Sequence, residues 1–211
     1  MHTVSIISVE AVAPALYCLL VEKPHSFRFV PGHSIMVSIN KPQFISEKHP
    51  LTFTSINDDP YLEFYVKTYP ARTSFNNLLA ALHPGDSLLL GEMFGTIRYT
   101  APGLMIAGGI GIAPFLAIMR QLKKENALAG NTLVYSAQFH ADIVAEQELR
   151  SMLGNNIQIT LTKEQRQGYS HGRITSDFLQ KILPVIPEHR YAIGSDSFVS
   201  DMRVLVSATR P

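Results

Sequence analysis

The spacing of hydrophobic and polar residues changes near the middle of the chain. Up to residue 90, short alternating or β-branched runs are separated by turn residues, and after Pro102-Gly103 apolar runs alternate with stretches of helical spacing. A period of two is typical of strands with one buried face, and apolar residues three and four apart are typical of amphipathic helices. The chain therefore predicts two domains, over residues 1–100 and 101–211.

The first half predicts an antiparallel six-stranded β-barrel. Turn chemistry, as at Pro31-Gly32 and Pro84-Gly85-Asp86, divides the runs. Only Ser74 to Leu82 has helical spacing, and Thr73 or Ser74 can cap its exposed amides. The predicted strands are Val4 to Val9, Leu16 to Val21, Ser34 to Ile39, Leu51 to Ser55, Leu62 to Lys67 and Ser87 to Leu90.

The second half predicts a Rossmann-like α/β domain, because strands and helices alternate as they do in parallel sheets with right-handed crossovers. The predicted strands are Leu104 to Ala107, Thr132 to Ala137, Ile157 to Thr162 and Tyr191 to Ile193. The predicted helices run from Pro114 to Glu125 and from Ala141 to Met152, and two more begin at Thr175 and at Phe198.

A glycine-rich loop, Ala107-Gly-Gly-Ile-Gly-Ile-Ala-Pro114, joins the first of these strands to its helix. Glycines permit a tight turn and close backbone approach, and the bare amides at a helix N-terminus can face a pyrophosphate. The spacing differs from the dinucleotide fingerprint G-x-G-x-x-G, and an ordinary strand-to-helix turn explains the glycines equally well.

Composition narrows the classes of function. The chain has 211 residues, 46% of them hydrophobic, with a mean hydropathy of +0.10. Its 18 basic and 17 acidic residues nearly cancel, which argues against binding nucleic acid or an anionic membrane. No run approaches the roughly 20 apolar residues of a membrane span, so a soluble, cytoplasmic protein is expected. Cys18 is the only cysteine, which rules out an internal disulfide or a cysteine-bound cluster, and no metal site is predicted.

Three segments of the first half combine hydroxyl and basic residues: 47–55, 65–69 and 69–75. Together they could hold a phosphate-bearing ligand. Each by itself is more typical of an ordinary barrel strand or a solvated loop, because threonine is common in strands and isolated basic residues are usually solvated.

The order of these motifs along the chain resembles the ferredoxin reductase-like flavoprotein superfamily over essentially its whole length. The motifs are His49-Pro-Leu-Thr52, Val66-Lys-Thr-Tyr69, Arg72-Thr-Ser74, Gly91-Glu-Met-Phe-Gly95 and the glycine-rich loop. In this family the barrel binds FAD, and His49-Pro-Leu-Thr52 is similar to the His-Pro-Phe-Thr motif of ferric reductases and NADPH oxidases. The resemblance implies FAD in the barrel and a nicotinamide dinucleotide in the second domain.

The resemblance also implies roles for individual residues of the barrel. Thr52 corresponds to the residue that hydrogen-bonds the reactive flavin N5 region and is the expected catalytic residue. Leu51 stands where relatives usually place an aromatic ring that stacks on the flavin. Arg72 is the candidate positive charge for the flavin phosphates. The implied FAD-binding residues are His49, Pro50, Leu51, Thr52, Val66, Lys67, Tyr69, Arg72, Thr73 and Ser74.

In the second domain the resemblance favours NADPH, with NADH possible. Lys163 and Arg173 could pair with the 2′-phosphate of NADPH, although an ordinary basic loop explains them about as well. Ile193-Gly194 occupies the place of the family's Cys-Gly-Pro-Pro motif, and the chain ends at Pro211 where many relatives continue to an aromatic residue over the flavin. The implied residues are Gly109, Ile110, Gly111, Ile112, Pro114, Thr162, Lys163, Arg173 and Gly194.

The implied function is an NAD(P)H-dependent flavoprotein reductase. Hydride would pass from nicotinamide to FAD, and single electrons would then leave to flavodoxin, ferredoxin or a small-molecule acceptor. Two alternatives remain at this point: a reductase subunit of a larger redox complex, and a catalytically impaired nucleotide-binding module. Copurification with a partner would favour the first, and a purified protein that takes up no flavin would favour the second.

Overall fold

The computed structural model describes residues 2–69, 74–95, 97–183 and 185–208. The chain forms two compact units. The first comprises Met1–Arg98 and Leu116–Gln121, and the second comprises Tyr99–Phe115 and Leu122–Pro211.

The first unit is an antiparallel six-stranded sheet, as the sequence predicts, and its strand order is β4-β3-β6-β1-β2-β5. The backbone N–H of Thr54, just beyond β4, donates to the carbonyl oxygen of Glu63 in β5 over 2.9 Å, which joins the two outer strands and closes the barrel. The elements are β1 (His2–Ala13), β2 (Leu16–Glu22), β3 (His33–Ile39), β4 (His49–Thr52), β5 (Tyr61–Lys67), α1 (Phe75–Ala80) and β6 (Ser87–Gly95).

The second unit contains a parallel sheet, as the sequence predicts, but with five strands where four were predicted, in the order β10-β9-β8-β7-β11. Its elements are β7 (Leu104–Gly108), α2 (Ile112–Lys124), β8 (Thr132–Ala137), α3 (Glu146–Leu153), β9 (Ile157–Leu161), β10 (Ser170–His171), α4 (Ser176–Ile182), β11 (Arg190–Ile193) and α5 (Asp196–Ala208). Residues 116–121 of α2 belong to the first unit.

Alternate residues of the barrel strands fill an apolar core. Ile35, Val37 and Ile39 are buried on the inner face of β3. Phe53 stacks on Phe29 with ring centroids 4.2 Å apart. Burying one such side chain stabilises the fold by roughly 1.5–3 kcal/mol, so the alternating pattern is sufficient to fix which face of each strand turns inward.

A buried polar network lies at the point where the barrel closes. The Thr54 hydroxyl donates to Glu63 Oε1 over 2.6 Å, and Arg120 donates to the same oxygen over 2.5 Å and to the Thr54 carbonyl over 2.8 Å. Burial, together with the nearby Glu63 charge, raises the pKa of the Cys18 thiol to about 12. Cys18 is therefore a neutral packing residue at neutral pH.

The second unit has its own polar anchor. The Tyr191 hydroxyl on β11 donates to the Ala101 carbonyl over 2.8 Å and accepts from the backbone N–H of Thr100 over 3.1 Å. Buried Asn131 accepts from the Gly103 N–H over 3.2 Å. These bonds attach the segment that precedes β7 to the edge of the sheet.

Several boundaries differ from those expected. Strand β1 extends to Ala13, β6 extends to Gly95, and the two-residue strand β10 was not expected. Helix α3 begins at Glu146 instead of Ala141, because Ala145 is left-handed (φ 50°) and the Asp142 carboxylate accepts from the Phe139 N–H, which makes residues 139–145 a separate turn. Helix α2 begins two residues before Pro114, and α5 begins at Asp196.

The network at the barrel closure gives a stability prediction. Glu63→Ala leaves the partly buried Arg120 cation without its carboxylate, and we expect the free energy of unfolding to fall by about 3 kcal/mol. Urea denaturation followed by circular dichroism measures the change. Lys41→Ala is the matched control, because Lys41 pairs with Asp86 over 3.0 Å at an exposed site, and it should cost less than about 1 kcal/mol. Equal costs for the two variants would contradict a structural role for the Glu63 network.

Candidate nucleotide and flavin sites

The order of the parallel sheet places two glycine segments side by side. The chain runs from β7 outward through β8, β9 and β10, and then returns to add β11 on the other side of β7. The strand order therefore reverses between β7 and β11, and ligands of such sheets bind beyond the carboxyl ends of the strands at this reversal. Gly109–Gly111 follows β7, and Gly194 follows β11.

Direct backbone contact explains why these segments need glycine. A Cβ atom added at Gly111 would lie 2.8 Å from the Ile193 carbonyl oxygen, so a side chain there would force the two segments apart. Gly109 has φ +56°, and no atom lies within 4 Å of the place its Cβ would take. The loop is thus pressed against β11 on one side and open on the other.

Phe198 on α5 is a positioning residue that the sequence did not single out. Its ring atoms lie 2.6 Å from the place of a Gly194 Cβ and 3.0 Å from that of a Gly108 Cβ. One aromatic ring therefore packs on the backbone of both segments. A helical phenylalanine has no local sequence signal for this role, because the contact joins residues about 90 positions apart.

The start of α2 completes the glycine loop. Ile112 and Pro114 are buried, whereas the side chain of Ile110 is 37% exposed at the tip of the loop. The Ile112 N–H bonds the Gly109 and Ile110 carbonyls within the turn. The predicted residues Gly109, Ile110, Gly111, Ile112, Pro114 and Gly194 are thus all brought to one end of the sheet.

The predicted residues after β9 lie at the same edge of the sheet. The Thr162 N–H donates to the Ala137 carbonyl over 2.9 Å, and the Lys163 N–H donates to the Gln138 carbonyl over 3.0 Å. Among the described residues no ion pair involves Lys163 or Arg173, and both are exposed. Their charges are therefore available to a ligand.

A cluster of polar side chains around the Glu146 carboxylate lies beside this segment, and the sequence did not predict it. Glu146, at the start of α3, accepts from Arg150 Nε over 2.7 Å and from the Tyr169 hydroxyl over 2.8 Å, and His140 Nε2 lies 3.2 Å away. Burial raises the pKa of the Glu146 carboxyl, but the hydrogen bonds from Arg150 and Tyr169 outweigh it and hold the pKa below its usual value. The cluster joins α3 to the loop before β10.

Strand β4 carries the four residues of the His-Pro-Leu-Thr motif. The His49 ring stacks on Phe75, with centroids 4.1 Å apart and planes at 12°. Pro50 is exposed, whereas Leu51 is buried within the barrel core. Thr52 is half-buried, and its hydroxyl lies 2.7 Å from the Ser34 hydroxyl.

The end of β5 is held against helix α1 by two asparagines that the sequence did not single out. Asn76 Nδ2 donates to the Lys67 carbonyl over 2.8 Å. The Asn77 amide bonds both the N–H and the carbonyl of Tyr69, over 3.1 and 3.2 Å. Ser74 is the N-cap of α1, as expected, because its hydroxyl accepts from the Asn77 N–H.

The other predicted flavin residues near this helix differ in exposure. Val66 is buried in the core, Lys67 is half-buried and Tyr69 is 49% exposed. The predicted residues Arg72 and Thr73 lie outside the described residues. Because Phe75 follows the Ser74 cap and stacks on His49, the structure brings the start of α1 to the start of β4.

Within the described residues, no helix has the length and apolar character needed to cross a bilayer. In the same part of the chain, no three His, Cys, Asp or Glu residues converge as they would around a metal ion.

Comparison with known protein families gives two matches. Residues 1–82 match the model of an FAD-binding domain, and residues 105–203 match the model of an oxidoreductase NAD-binding domain. The first match spans β1 to α1 of the barrel, and the second runs from β7 into α5 of the second unit. They confirm the prediction of FAD and a nicotinamide dinucleotide as the ligands of this type of chain.

Curated relatives are similar at low identity. The chain is 24% identical over 205 residues to the reductase component of the naphthalene 1,2-dioxygenase system of Pseudomonas putida, which covers 92% of this chain and 61% of that protein. It is 30% identical over 134 residues to flavodoxin/ferredoxin–NADP reductase of Escherichia coli, covering 58% and 54%. The chain thus spans between half and two thirds of the length of these relatives.

The fold has close counterparts among solved structures. A ferredoxin NADP+ reductase from Neisseria gonorrhoeae with bound FAD and NADP superposes with a TM-score of 0.84, at 20% identity, over 98% of this chain and 90% of that chain. The two family matches and the fold all indicate one barrel domain that binds FAD and one α/β domain that binds a nicotinamide dinucleotide. The chain belongs to the ferredoxin reductase-like superfamily of FAD- and NAD(P)-binding oxidoreductases.

The lowered pKa of Glu146 gives a prediction about acid stability. The pKa is lower in the folded than in the unfolded chain, so the stabilisation is fully present above the unfolded value of 4.5 and is lost as the pH falls through the folded value. We expect Glu146→Gln to be less stable than the wild type at pH 7 and the difference to shrink as the pH falls below 4.5. Urea midpoints between neutral and acidic pH measure this.

Glu188→Gln is the matched control for the loss of one carboxylate, because Glu188 is exposed. A gap between wild type and Glu146→Gln that stays constant with pH would show that the ionised carboxylate does not stabilise the cluster.

Proposed function

We propose that this protein is an NAD(P)H-dependent flavoprotein reductase that passes a hydride from the nicotinamide to FAD and then single electrons to a separate acceptor. The observation that carries the proposal is the meeting of Gly109–Gly111 with Gly194 where the strand order reverses, inside the segment that matches an NAD-binding domain. The barrel before it matches an FAD-binding domain. FAD would supply the two-electron and one-electron chemistry.

The barrel, residues 1–100 in this proposal, would bind FAD. The polar groups fit such a ligand, since Pro50 is exposed and Thr52, His49 and Lys67 are half-buried, so that part of each of these side chains is accessible to it. Thr52 would act as the catalytic residue at the flavin N5. Leu51 would contribute little surface, because the barrel core already buries it. Arg72, Thr73 and Ser74 would bind the phosphates, with Val66 and Tyr69 beside the ribityl chain.

Residues 101–211 would bind the nicotinamide dinucleotide. The open side of Gly109 leaves room for a pyrophosphate, and the exposed Ile110 offers apolar contact to the ligand. Ile112 and Pro114 would fix the start of α2. Thr162 would line the same edge, and Lys163 and Arg173 would pair with the 2′-phosphate of NADPH, which makes NADPH the preferred donor.

The acceptor is proposed from the relatives. The Escherichia coli relative is named for flavodoxin and ferredoxin, so either protein is the first candidate. A reductase component of a larger redox complex is the second candidate, because relatives from Pseudomonas putida and Mycolicibacterium smegmatis are named as components of oxygenase systems. The single cysteine suits a cytoplasmic location, which is part of the proposal.

Reconstitution with flavin tests the proposal directly. The purified chain should bind FAD, and the flavin absorbance should bleach when NADPH is added without oxygen. A chain that takes up neither FAD nor FMN would instead be a binding module without reductase activity. Bleaching that requires a copurified partner would favour the reductase-component candidate.

Thr52→Ala should slow flavin reduction by about tenfold to a hundredfold, the scale of losing one well-placed hydrogen bond in a transition state. The dissociation constant of the nicotinamide should change little. Stopped-flow absorbance at several NADPH concentrations separates the two effects. Unchanged reduction rates would remove Thr52 from the chemistry.

Lys163→Ala should raise the Michaelis constant for NADPH by roughly tenfold, because one charge-assisted hydrogen bond to a phosphate is lost, and should leave that for NADH alone. Lys181→Ala is the matched control, since Lys181 is an exposed lysine on α4. Equal changes for both nucleotides would refute the 2′-phosphate assignment.

A further inference from the structure

Thr52 does not stand alone on the outer face of the barrel. Ser34 on β3 lies directly opposite Thr52 on β4 in the antiparallel register, and the two hydroxyl oxygens are 2.7 Å apart. Residues directly opposite in such a pair project from the same face of the sheet. The neighbouring pair, Ile35 and Leu51, is buried in the core, so Ser34 and Thr52 face outward.

The Ser34 and Thr52 hydroxyls are hydrogen-bonded to each other. Ser34 is 2% exposed, and among the described residues each hydroxyl is the other's only side-chain hydrogen-bonding partner. Thr52 is half-buried and on the outward-facing side of β4, so its hydroxyl keeps the capacity for a further hydrogen bond. A buried hydroxyl needs a partner, and Thr52 satisfies Ser34.

The direction of this hydrogen bond is reversible. A hydroxyl donates one hydrogen bond and can accept two, and either oxygen of the pair can be the donor. When Ser34 donates to Thr52, the Thr52 hydrogen is free to donate to a third group. When Thr52 donates to Ser34, the Thr52 oxygen is free to accept from that group. Two bond rotations interchange the states, and no proton leaves the pair.

The flavin N5 proposed above changes its own hydrogen-bonding role in the reaction. The oxidised ring accepts at N5. In the proposed reaction, a hydride would carry one hydrogen and two electrons from nicotinamide C4 to N5, so the nicotinamide would be oxidised and the flavin would gain an N5–H donor. A single fixed donor would match only one of these states, whereas a hydroxyl of reversible direction matches both.

We propose that Ser34 is a positioning residue that sets the direction of the Thr52 hydroxyl and so lets it donate to oxidised N5 and accept from reduced N5–H. This inference rests on the proposed function. Ser34 acts only through Thr52, because Ser34 is buried and its hydroxyl is paired with that of Thr52. In a chain of hydroxyl groups, each donor also polarises the next, so Ser34 strengthens the hydrogen bond from Thr52 to N5.

The test uses the full chain reconstituted with FAD labelled with nitrogen-15 at N5, observed by NMR in the oxidised and the dithionite-reduced state. Ser34→Ala should shift the N5 resonance toward its value in Thr52→Ala, and Ser34→Thr should restore it. In the Thr52→Ala background, adding Ser34→Ala should cause no further shift. This absence of an added effect separates action through Thr52 from a general change in packing.

Ser38→Ala is the matched control, because Ser38 is a buried serine on the same strand that lies opposite Leu89 of β6 rather than a β4 residue. It should leave the N5 resonance in place. Ser34→Cys serves if Ser34→Ala does not fold, since a thiol has nearly the same shape and is a weaker donor, and it should shift N5 part of the way.

Failure of the inference and failure of the proposed function give different results. A chain that binds no FAD shows no flavin resonance, which overturns the reductase proposal and this inference with it. A chain that binds FAD and keeps the wild-type N5 shift in Ser34→Ala or Ser34→Cys overturns the role of Ser34 and leaves the reductase proposal standing. A further shift in the double variant also overturns it.

Discussion

The close backbone approach of Gly111 to the carbonyl of Ile193 is the constraint on which the nucleotide end of the molecule depends. At 2.8 Å from a hypothetical Cβ, this contact admits no side chain. It brings the loop after β7 against the end of β11, and the Phe198 ring packs on the same backbone from α5. Since the strand order reverses at this point, the same contact builds the crevice in which such sheets bind ligands.

The barrel contains polar side chains that are buried in a largely apolar structure and must be hydrogen-bonded there. At the closure of the barrel, the Glu63 carboxylate forms an ion pair with Arg120 and accepts a hydrogen bond from the Thr54 hydroxyl. These partners offset the cost of burying a carboxylate. On the outer face, Ser34 and Thr52 satisfy each other. The Ser34–Thr52 hydrogen bond runs between β3 and β4, so the register that buries the core also positions these two side chains.

The sequence predicted the elements better than it predicted their contacts. Alternation along β3 and β5 determined which residues face the core, and the glycine loop marked the start of α2, because both signals are local. The motif His49-Pro-Leu-Thr52 marked the strand that carries the hydroxyl. Local pattern could not reveal Ser34 or Phe198, since Ser34 meets Thr52 and Phe198 meets Gly108, partners that are distant along the chain. The late start of α3 was missed because Ala145 adopts a left-handed conformation with no glycine to signal it.

By itself, the sequence determined a β-barrel followed by a parallel α/β sheet, because hydrophobic periodicity and turn chemistry act over a few residues. The flavin and the nicotinamide nucleotide were implied by the family resemblance of its motifs. Tertiary structure alone decided that Gly111 meets Ile193, that Leu51 is buried in the core while Thr52 faces outward, and that Ser34 is the partner of Thr52. The physical reason is that strand order and register bring together residues whose separation along the chain carries no information about their distance in space.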